Sequence, residues 1–220
     1  MKLAGERWRT LVSTVRLGRD EYRVVQPARP VAHASMHLAS CGVSVTVNKA
    51  SARELAMAWA FAMRSPRTLV YLPLRQSGCE CRMYADDGDI SVDLVLLHHS
   101  LGFAASRWKE VRARLRGGRP HTVVCQGLPR GVLRRGEVLR RDFKDDLRYH
   151  FAADTAFFTG SRKAFAATGE ELLDMVEDWP RLMHERQREG FCAEIVAKGM
   201  GSREQLHVQY CLEHRVSTRR

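Results

Sequence analysis

Apolar residues that alternate with polar ones predict that most elements of this chain are β-strands. Val43, Val45 and Val47 alternate with polar residues, as in a strand with one buried face. Residues 92–97 are almost all apolar, which is typical of a central strand buried on both faces. The strand candidates are 36–47, 68–74, 81–85, 90–97, 121–126, 191–197 and 205–212, and 149–158 fits either a strand or a helix.

Apolar residues at helical spacing predict four helices. Trp8 and Val15 belong to such a stripe near the start of the chain, where they indicate a short amphipathic helix. Two capping boxes, Ser51 with Glu54 and Thr168 with Glu171, mark the starts of two longer helices. The helix candidates are 6–17, 51–65, 104–116 and 168–190.

The order of these elements predicts an α+β fold. We expect a mainly antiparallel sheet with helices packed on one face. The same order also fits a split βαβ (ferredoxin-like) variant with extra strands. We expect a basic N-terminal segment over 1–30 that holds the amphipathic helix, a single domain over 31–214 and a loose basic tail over 215–220, since the sequence has no internal repeat or low-complexity linker.

The charge of the chain is its least ordinary property. Among 220 residues, 45% are hydrophobic and 28% charged, values that are typical of a globular protein and exclude a chain disordered throughout. The net charge is +11, which attracts polyanions such as nucleic acid. Arginine far outnumbers lysine, so a general bias of composition is the alternative explanation of this charge.

Most of the excess charge lies in one segment, residues 107–141. It holds eleven basic and two acidic residues, a net charge of +9. A basic helix followed by an arginine-rich loop could follow a phosphate backbone, although a solvated surface is the alternative. The predicted nucleic-acid-binding residues are Arg107, Lys109, Arg112, Arg114, Arg116, Arg119, Arg130, Arg134, Arg135, Arg140 and Arg141.

A pair of histidines offers a different chemistry. His98 and His99 follow the apolar strand candidate, at a strand end of the kind where catalytic groups often gather. Imidazole transfers protons near neutral pH, and Asp93 is a candidate to orient it. In a strand the two rings would point to opposite faces, and ordinary hydrogen bonding is the alternative role.

No metal or cofactor site is predicted. Asp86, Asp87 and Asp89 miss the spacing of a calcium loop and instead indicate a hairpin turn. Cys79 and Cys81 form a CxC without the second pair that a zinc site needs. The chain also lacks the glycine-rich and nucleophile motifs of common cofactor-binding proteins and hydrolases.

The six cysteines fall mostly in strand candidates, and no signal peptide or membrane-spanning stretch is visible. We therefore expect reduced thiols and a cytoplasmic protein without membrane insertion. The oligomeric state is left open.

The missing catalytic motifs favour binding over catalysis. The preferred hypothesis is a basic binding or regulatory protein that contacts nucleic acid or another acidic partner through the arginine-rich segment. One alternative is a small hydrolase or transferase with a histidine-containing cleft. Another is a protein–protein interaction module. The preferred hypothesis requires that the arginines gather on one outer surface without acidic partners.

Overall fold

The computed structural model describes residues 2–39, 42–77, 90–132, 145–178, 192–198 and 203–211. Within them, one mixed, mostly antiparallel sheet of twelve strands and three α-helices form an α+β fold. The helices are α1 (Lys49–Arg64), α2 (Trp108–Ala113) and α3 (Arg162–Glu177). The strands are β1 (Arg7–Leu17), β2 (Asp20–Pro27), β3 (Ala34–Ala39), β4 (Gly42–Val47), β5 (Thr68–Leu72), β6 (Ile90–Ser91), β7 (Asp93–His98), β8 (Arg119–Val124), β9 (Arg148–Ala152), β10 (Thr155–Gly160), β11 (Cys192–Lys198) and β12 (Arg203–Tyr210).

The strands lie side by side in the order β6-β3-β4-β12-β11-β9-β10-β7-β5-β2-β1-β8. Four neighbouring pairs are parallel, namely β2–β5, β7–β10, β9–β11 and β4–β12. The predicted central strand is β7, which lies between β5 and β10. The predicted terminal hairpin is also confirmed, as the antiparallel pair β11–β12. The split βαβ arrangement stays a prediction.

Two hydrophobic cores lie on opposite faces of the sheet. The larger core holds residues of α1 and α3, including Trp59 and Phe165, whose ring centroids are 5.3 Å apart. The smaller core is built around Trp108 of α2 and Phe157 of β10. The expectation that the helices share one face is therefore wrong for α2. Its apolar residue Val111 belongs to the smaller core and draws the helix to the other side.

The predicted amphipathic helix over 6–17 is wrong, because this segment is β1. Trp8 and Val12 pack on the larger core, whereas Val15 and Leu17 pack on the smaller one. The first half of β1 is therefore buried on one face of the sheet and the second half on the other. As a result, the spacing of its apolar residues resembles that of a helix. The segment 1–30 consequently contributes β1 and β2 to the sheet.

The two long helices begin earlier than predicted, because other residues cap them. The first long helix begins at the N-cap Asn48, with Ser51 as the third residue of its capping box. The other long helix begins at the N-cap Ser161, so that Thr168 lies inside α3 and donates its hydroxyl to the Ala164 carbonyl at 2.8 Å. Both predicted capping boxes therefore placed the helix starts too late.

Segment lengths differ as well. The single strand predicted over 36–47 is the antiparallel pair β3 and β4, and the helix predicted over 104–116 contains the shorter α2. Residues 149–158 form the hairpin β9–β10, whose turn residues Ala153 and Asp154 have φ of 47° and 55°. The strand predicted over 81–85 and its Asp-Gly turn lie outside the described residues.

Candidate anion-binding site

The structure describes part of the predicted basic segment. Three of the described residues pair with acids, three line a cavity, and Lys109 is exposed on α2 and belongs to neither group. Arg134, Arg135, Arg140 and Arg141 lie outside the described residues. The described members are Arg107, Lys109, Arg112, Arg114, Arg116, Arg119 and Arg130. Their contacts decide which of them present an uncompensated charge.

Arg107 is neutralised by an acid from a distant strand. It forms an ion pair with Asp20, donates to the Tyr22 hydroxyl at 2.9 Å and donates to the Leu17 carbonyl at 2.9 Å. The hydrogen bond to Asp20 raises the pKa of Arg107 above its ordinary value. These contacts tie α2 to the hairpin β1–β2, so we assign Arg107 a structural role.

Arg130 is neutralised by the end of α3. It forms ion pairs with Asp174, with Glu177 at 3.3 Å and with Asp178 at 3.1 Å. Basic groups are favourable at a helix C-terminus, where the carbonyl dipoles are negative. Arg130 therefore fastens the segment after β8 to α3.

Arg112 belongs to a network around the buried carboxylate of Asp93. Asp93 is only 1% exposed and accepts hydrogen bonds from the Tyr71 hydroxyl at 3.0 Å and from the Arg75 guanidinium at 3.1 Å. Arg112 lies 3.5 Å from the same carboxylate and 3.7 Å from Asp154. Burial and the neighbouring Asp93 raise the pKa of Tyr71, which therefore stays protonated and donates to the carboxylate. The network compensates a buried charge.

Arg114, Arg116 and Arg119 behave differently, because they gather around an open cavity. Together with Arg23 of β2, they line a cavity of about 560 Å³ at the end of the sheet. All four arginines are exposed, and none has an ion pair with another described residue. The remaining lining residues are Val12, Ser13, Thr14 and Gly117.

The cavity exists because β8 leaves β1 partway along its length. Pairing between these strands ends at Val12 and Arg119, where the chain turns back toward α2. Gly117 has a φ of +63° in this turn, a conformation that favours glycine. At Gly118 an added Cβ would lie 2.9 Å from both the Leu11 Cβ and the Ser13 Oγ, so the turn packs directly on β1.

The electrostatics of the cavity are of one sign. Among the described residues, no carboxylate lines it, and Arg114 donates to the Arg16 carbonyl at 2.7 Å without an ion pair to a described acid. Guanidinium groups present forked donors that match the oxygens of phosphate or carboxylate. The lining residues that the structure describes include no aromatic side chain, so they provide charge but no platform for base stacking.

Sequence reasoning located three of these arginines but missed Arg23. Arg23 lies on β2, far along the chain from the basic segment, and the register Thr14–Arg23 brings it to the cavity. In the sequence, Arg23 stands out only as a polar residue in a stretch where polar and apolar residues alternate.

The histidine pair lies elsewhere on the molecule. His98 ends β7, and His99 begins a 3-10 turn, so the rings are not on opposite faces; their centroids are 4.5 Å apart. The His98 Nδ1 is 2.7 Å from the Ser100 Oγ. Burial and the adjacent His99 lower the pKa of His98, while the charge of Asp145 acts in the opposite direction.

Asp93 does not orient these histidines. It begins β7 whereas His98 ends the same strand, a separation of roughly 17 Å at the usual rise per residue. Neither histidine lines the arginine cavity.

The described residues lack two further features. They contain no group of three or more side chains able to hold a metal ion and no helix with the length and apolarity needed to span a bilayer. Cys79 and Cys81 lie outside the described residues, as do Asp86, Asp87 and Asp89. Comparisons with protein-family models, curated proteins and solved structures found no match.

Proposed function

We propose that the protein binds the phosphate backbone of nucleic acid through the arginine cavity, defined by Arg23, Arg114, Arg116 and Arg119. The observation that carries this proposal is that four exposed arginines line one cavity, and that none of its lining residues within the described part of the chain carries a carboxylate. Of the described arginines in the predicted basic segment, the proposal assigns phosphate binding to Arg114, Arg116 and Arg119. It does not assign binding to Arg107, Arg112 and Arg130, which pair with acids.

The chemistry of the lining favours recognition of backbone over bases. Arginines contact phosphate oxygens regardless of sequence, whereas base recognition needs groove contacts or stacking surfaces. We therefore expect binding that depends weakly on sequence and strongly on salt. If each of the four arginines contacts one phosphate of duplex DNA, log K falls against log salt with a slope of about −3 to −4.

The test is a fluorescence-anisotropy titration of labelled duplex DNA of about 20 base pairs at several KCl concentrations. The Arg116→Ser/Arg119→Ser variant is expected to bind at least about tenfold more weakly and to lower the magnitude of the salt slope by about 2. The slope separates direct phosphate contacts from an indirect effect on folding.

The matched control is Arg148→Ser/Arg162→Ser, which removes two exposed arginines from β9 and α3, outside the cavity. We expect it to bind within about twofold of the unmodified protein, because scattered surface charges contribute only through the long-range field. Equal losses in the two variants would contradict a localised site. Absence of DNA binding by the unmodified protein at low salt, or retention on heparin alone, would overturn the nucleic-acid proposal.

A further inference from the structure

The sheet ends in an exposed strand, β8. Among the described strands, β8 pairs with β1 on one side and is the last strand of the sheet on the other. All of its residues except Val123 are exposed, and Val124 is 59% exposed although it is apolar. The free side of an edge strand presents backbone N–H and C=O groups with which another extended chain can pair.

The hydrogen bonds at the end of β8 show which of its backbone groups face outward. The N–H of Cys125, the residue after β8, donates to the Glu6 carbonyl at 2.8 Å, so the backbone of Cys125 faces the chain of β1. Consecutive residues of an antiparallel strand direct their backbone groups to opposite sides. The odd-numbered residues of β8 therefore face β1, and the even-numbered residues face outward.

The outward-facing residues of β8 offer a short ladder of hydrogen-bonding groups. They are Pro120, Thr122 and Val124. Proline has no N–H to donate, and an outward-facing position on an edge strand is where a sheet tolerates it. The N–H donors of this side are therefore those of Thr122 and Val124, which we name the β8 edge.

The surroundings of the β8 edge are basic. In the register of β1 and β8, Arg7 lies opposite Val124 and Arg9 lies opposite Thr122. Directly opposed residues share a face of the sheet, and both arginines are exposed. A second copy of this chain, with its net charge of +11, would bring like charges together here, whereas an acidic strand would be attracted.

An apolar cavity of about 160 Å³ lies beside the same strand, between β8 and α1. Val123 and Phe61 form part of its apolar wall. Its lining residues Val124 and Gln126 are exposed, so the cavity reaches the surface at the end of β8. Val123 lies on the opposite face of β8 from Thr122 and Val124. A strand added to β8 therefore meets guanidinium groups on one face and an apolar surface on the other.

We propose that the β8 edge binds an extended segment of a partner protein in which acidic and apolar residues alternate. Alternate side chains of a strand point to opposite faces, so the acids lie toward Arg7 and Arg9 and the apolar residues toward the cavity. In this mode of recognition, backbone hydrogen bonds supply affinity and side chains supply specificity. The inference does not rest on the proposed nucleic-acid binding, because Thr122 and Val124 do not line the arginine cavity.

The probe is a fluorescein-labelled peptide, Glu-Val-Glu-Val-Glu-Val-Glu, titrated with the full chain and followed by fluorescence anisotropy. Two further peptides carry a methyl group on one backbone nitrogen, either that of the central valine or that of the next glutamate. These nitrogens point to opposite sides of a strand. One methylated peptide is expected to bind at least about tenfold more weakly and the other within about threefold of the parent peptide. Absence of binding by the parent peptide, or equal losses for the two methylated peptides, would overturn strand addition.

Thr122→Pro tests the edge from the side of the protein. It removes an outward-facing N–H and leaves the hydrogen bonds to β1 in place, so the variant is expected to fold while peptide binding weakens at least about tenfold. The matched control is Thr122→Ala, which keeps the N–H and is expected to bind within about twofold of the unmodified protein. Equal binding by the two variants would contradict a role for the Thr122 backbone. The methylated peptides test the same hydrogen bonds without any change to the protein.

The preference for acidic residues has its own test. A peptide with lysine in place of glutamate is expected to bind the unmodified protein at least about tenfold more weakly. The Arg7→Ser/Arg9→Ser variant is expected to lose most of this preference, because it removes the charges beside the β8 edge. Equal affinity of the unmodified protein for the two peptides would overturn the assignment of an acidic partner.

Sedimentation and DNA titrations separate this inference from a second copy at the edge and from the proposed function. The chain without peptide is expected to sediment as a monomer, and a dimer that Thr122→Pro converts to monomers would mean that a second copy occupies the edge. Thr122→Pro is expected to bind DNA within about twofold of the unmodified protein, because Thr122 lies outside the arginine cavity. Peptide binding by a chain that does not bind DNA would overturn the proposed function and leave this inference supported.

Discussion

At the scale of single residues, the contacts of Asp93 have the widest consequences. A carboxylate that is 1% exposed requires compensating charge and hydrogen bonds, and it recruits Tyr71, Arg75 and Arg112. Arg75 and Arg112 also lie close to Asp154. Because Arg112 compensates the buried Asp93 carboxylate, it is not available to bind a ligand.

We predict that Asp93→Asn lowers the free energy of unfolding by about 2–4 kcal/mol, because it leaves two partly buried guanidinium groups without their main counter-charge. Urea denaturation followed by circular dichroism measures the change.

The matched control is Asp154→Asn. Asp154 contacts the same two arginines but is 57% exposed, and asparagine tolerates its positive φ of 55°. We expect a loss below about 1 kcal/mol, as for other exposed ion pairs. Equal effects of the two substitutions would show that Asp93 does not anchor the network.

At the scale of elements, α1, α3 and the segment after β8 pack tightly against one another at Gly169 of α3. An added Cβ would lie 2.8 Å from the Leu128 Cδ2 and 3.1 Å from the Trp59 Cδ1. The Trp59 ring is fixed, because its Nε1 donates to the Phe165 carbonyl at 3.0 Å. An added methyl group would therefore displace the Leu128 side chain and press on the fixed Trp59 ring. This crowding opposes alanine at a helix-interior position, where alanine is otherwise favoured.

We predict that Gly169→Ala lowers the free energy of unfolding by about 1–2 kcal/mol, the cost of overpacking minus the gain in helix propensity. Combining it with Leu128→Ala should cost less than the sum of the two single changes, because the smaller side chain makes room for the methyl group. Chemical denaturation of the four proteins of this cycle provides the measurement. A stabilising Gly169→Ala would contradict the close packing.

Elements also show why some sequence patterns misled. The apolar residues of β1 pack first on the larger core and then on the smaller one. Their spacing therefore matched a helix although the chain is extended. The turn between β9 and β10 uses Ala153 and Asp154 in place of the usual Asn-Gly, so the sequence did not mark the hairpin. In β1, burial in two cores overrode the local signal, whereas in the β9–β10 turn the usual signal was absent.

At the scale of the whole molecule, the net charge of +11 acts through its distribution. Arg107, Arg112 and Arg130 are paired with acids, whereas the arginine cavity concentrates charge without compensation. Repulsion within the cavity opposes folding, and a bound anion relieves it.

We predict that raising KCl from about 20 to about 200 mM increases the urea midpoint of unfolding, because added salt screens this repulsion. Potassium sulfate at equal ionic strength should stabilise further, since a divalent oxyanion also occupies the arginine cavity. The Arg116→Ser/Arg119→Ser variant should lose most of the additional effect of sulfate. An unchanged sulfate effect in that variant would indicate general exclusion of the salt from the surface instead.

The sequence predicts correctly those features that depend on neighbouring residues. Alternation in 205–212 and the apolar run in 92–97 identified β12 and β7, and helical spacing identified α1. It also identified the basic segment around 107–141, because charge is a property of composition. These signals are local, since hydrogen bonding and burial impose periods of two or 3.6 residues on adjacent positions.

Which basic residues remain available to a ligand depends on contacts between distant parts of the chain. Arg107 and Asp20 are separated by 87 positions and Arg130 and Asp174 by 44, so no local pattern could reveal that they are paired. Arg23 lies at the arginine cavity because the register of β1 and β2 pairs it with Thr14. Electrostatic compensation depends on distance in space, which the order of residues along the chain does not specify.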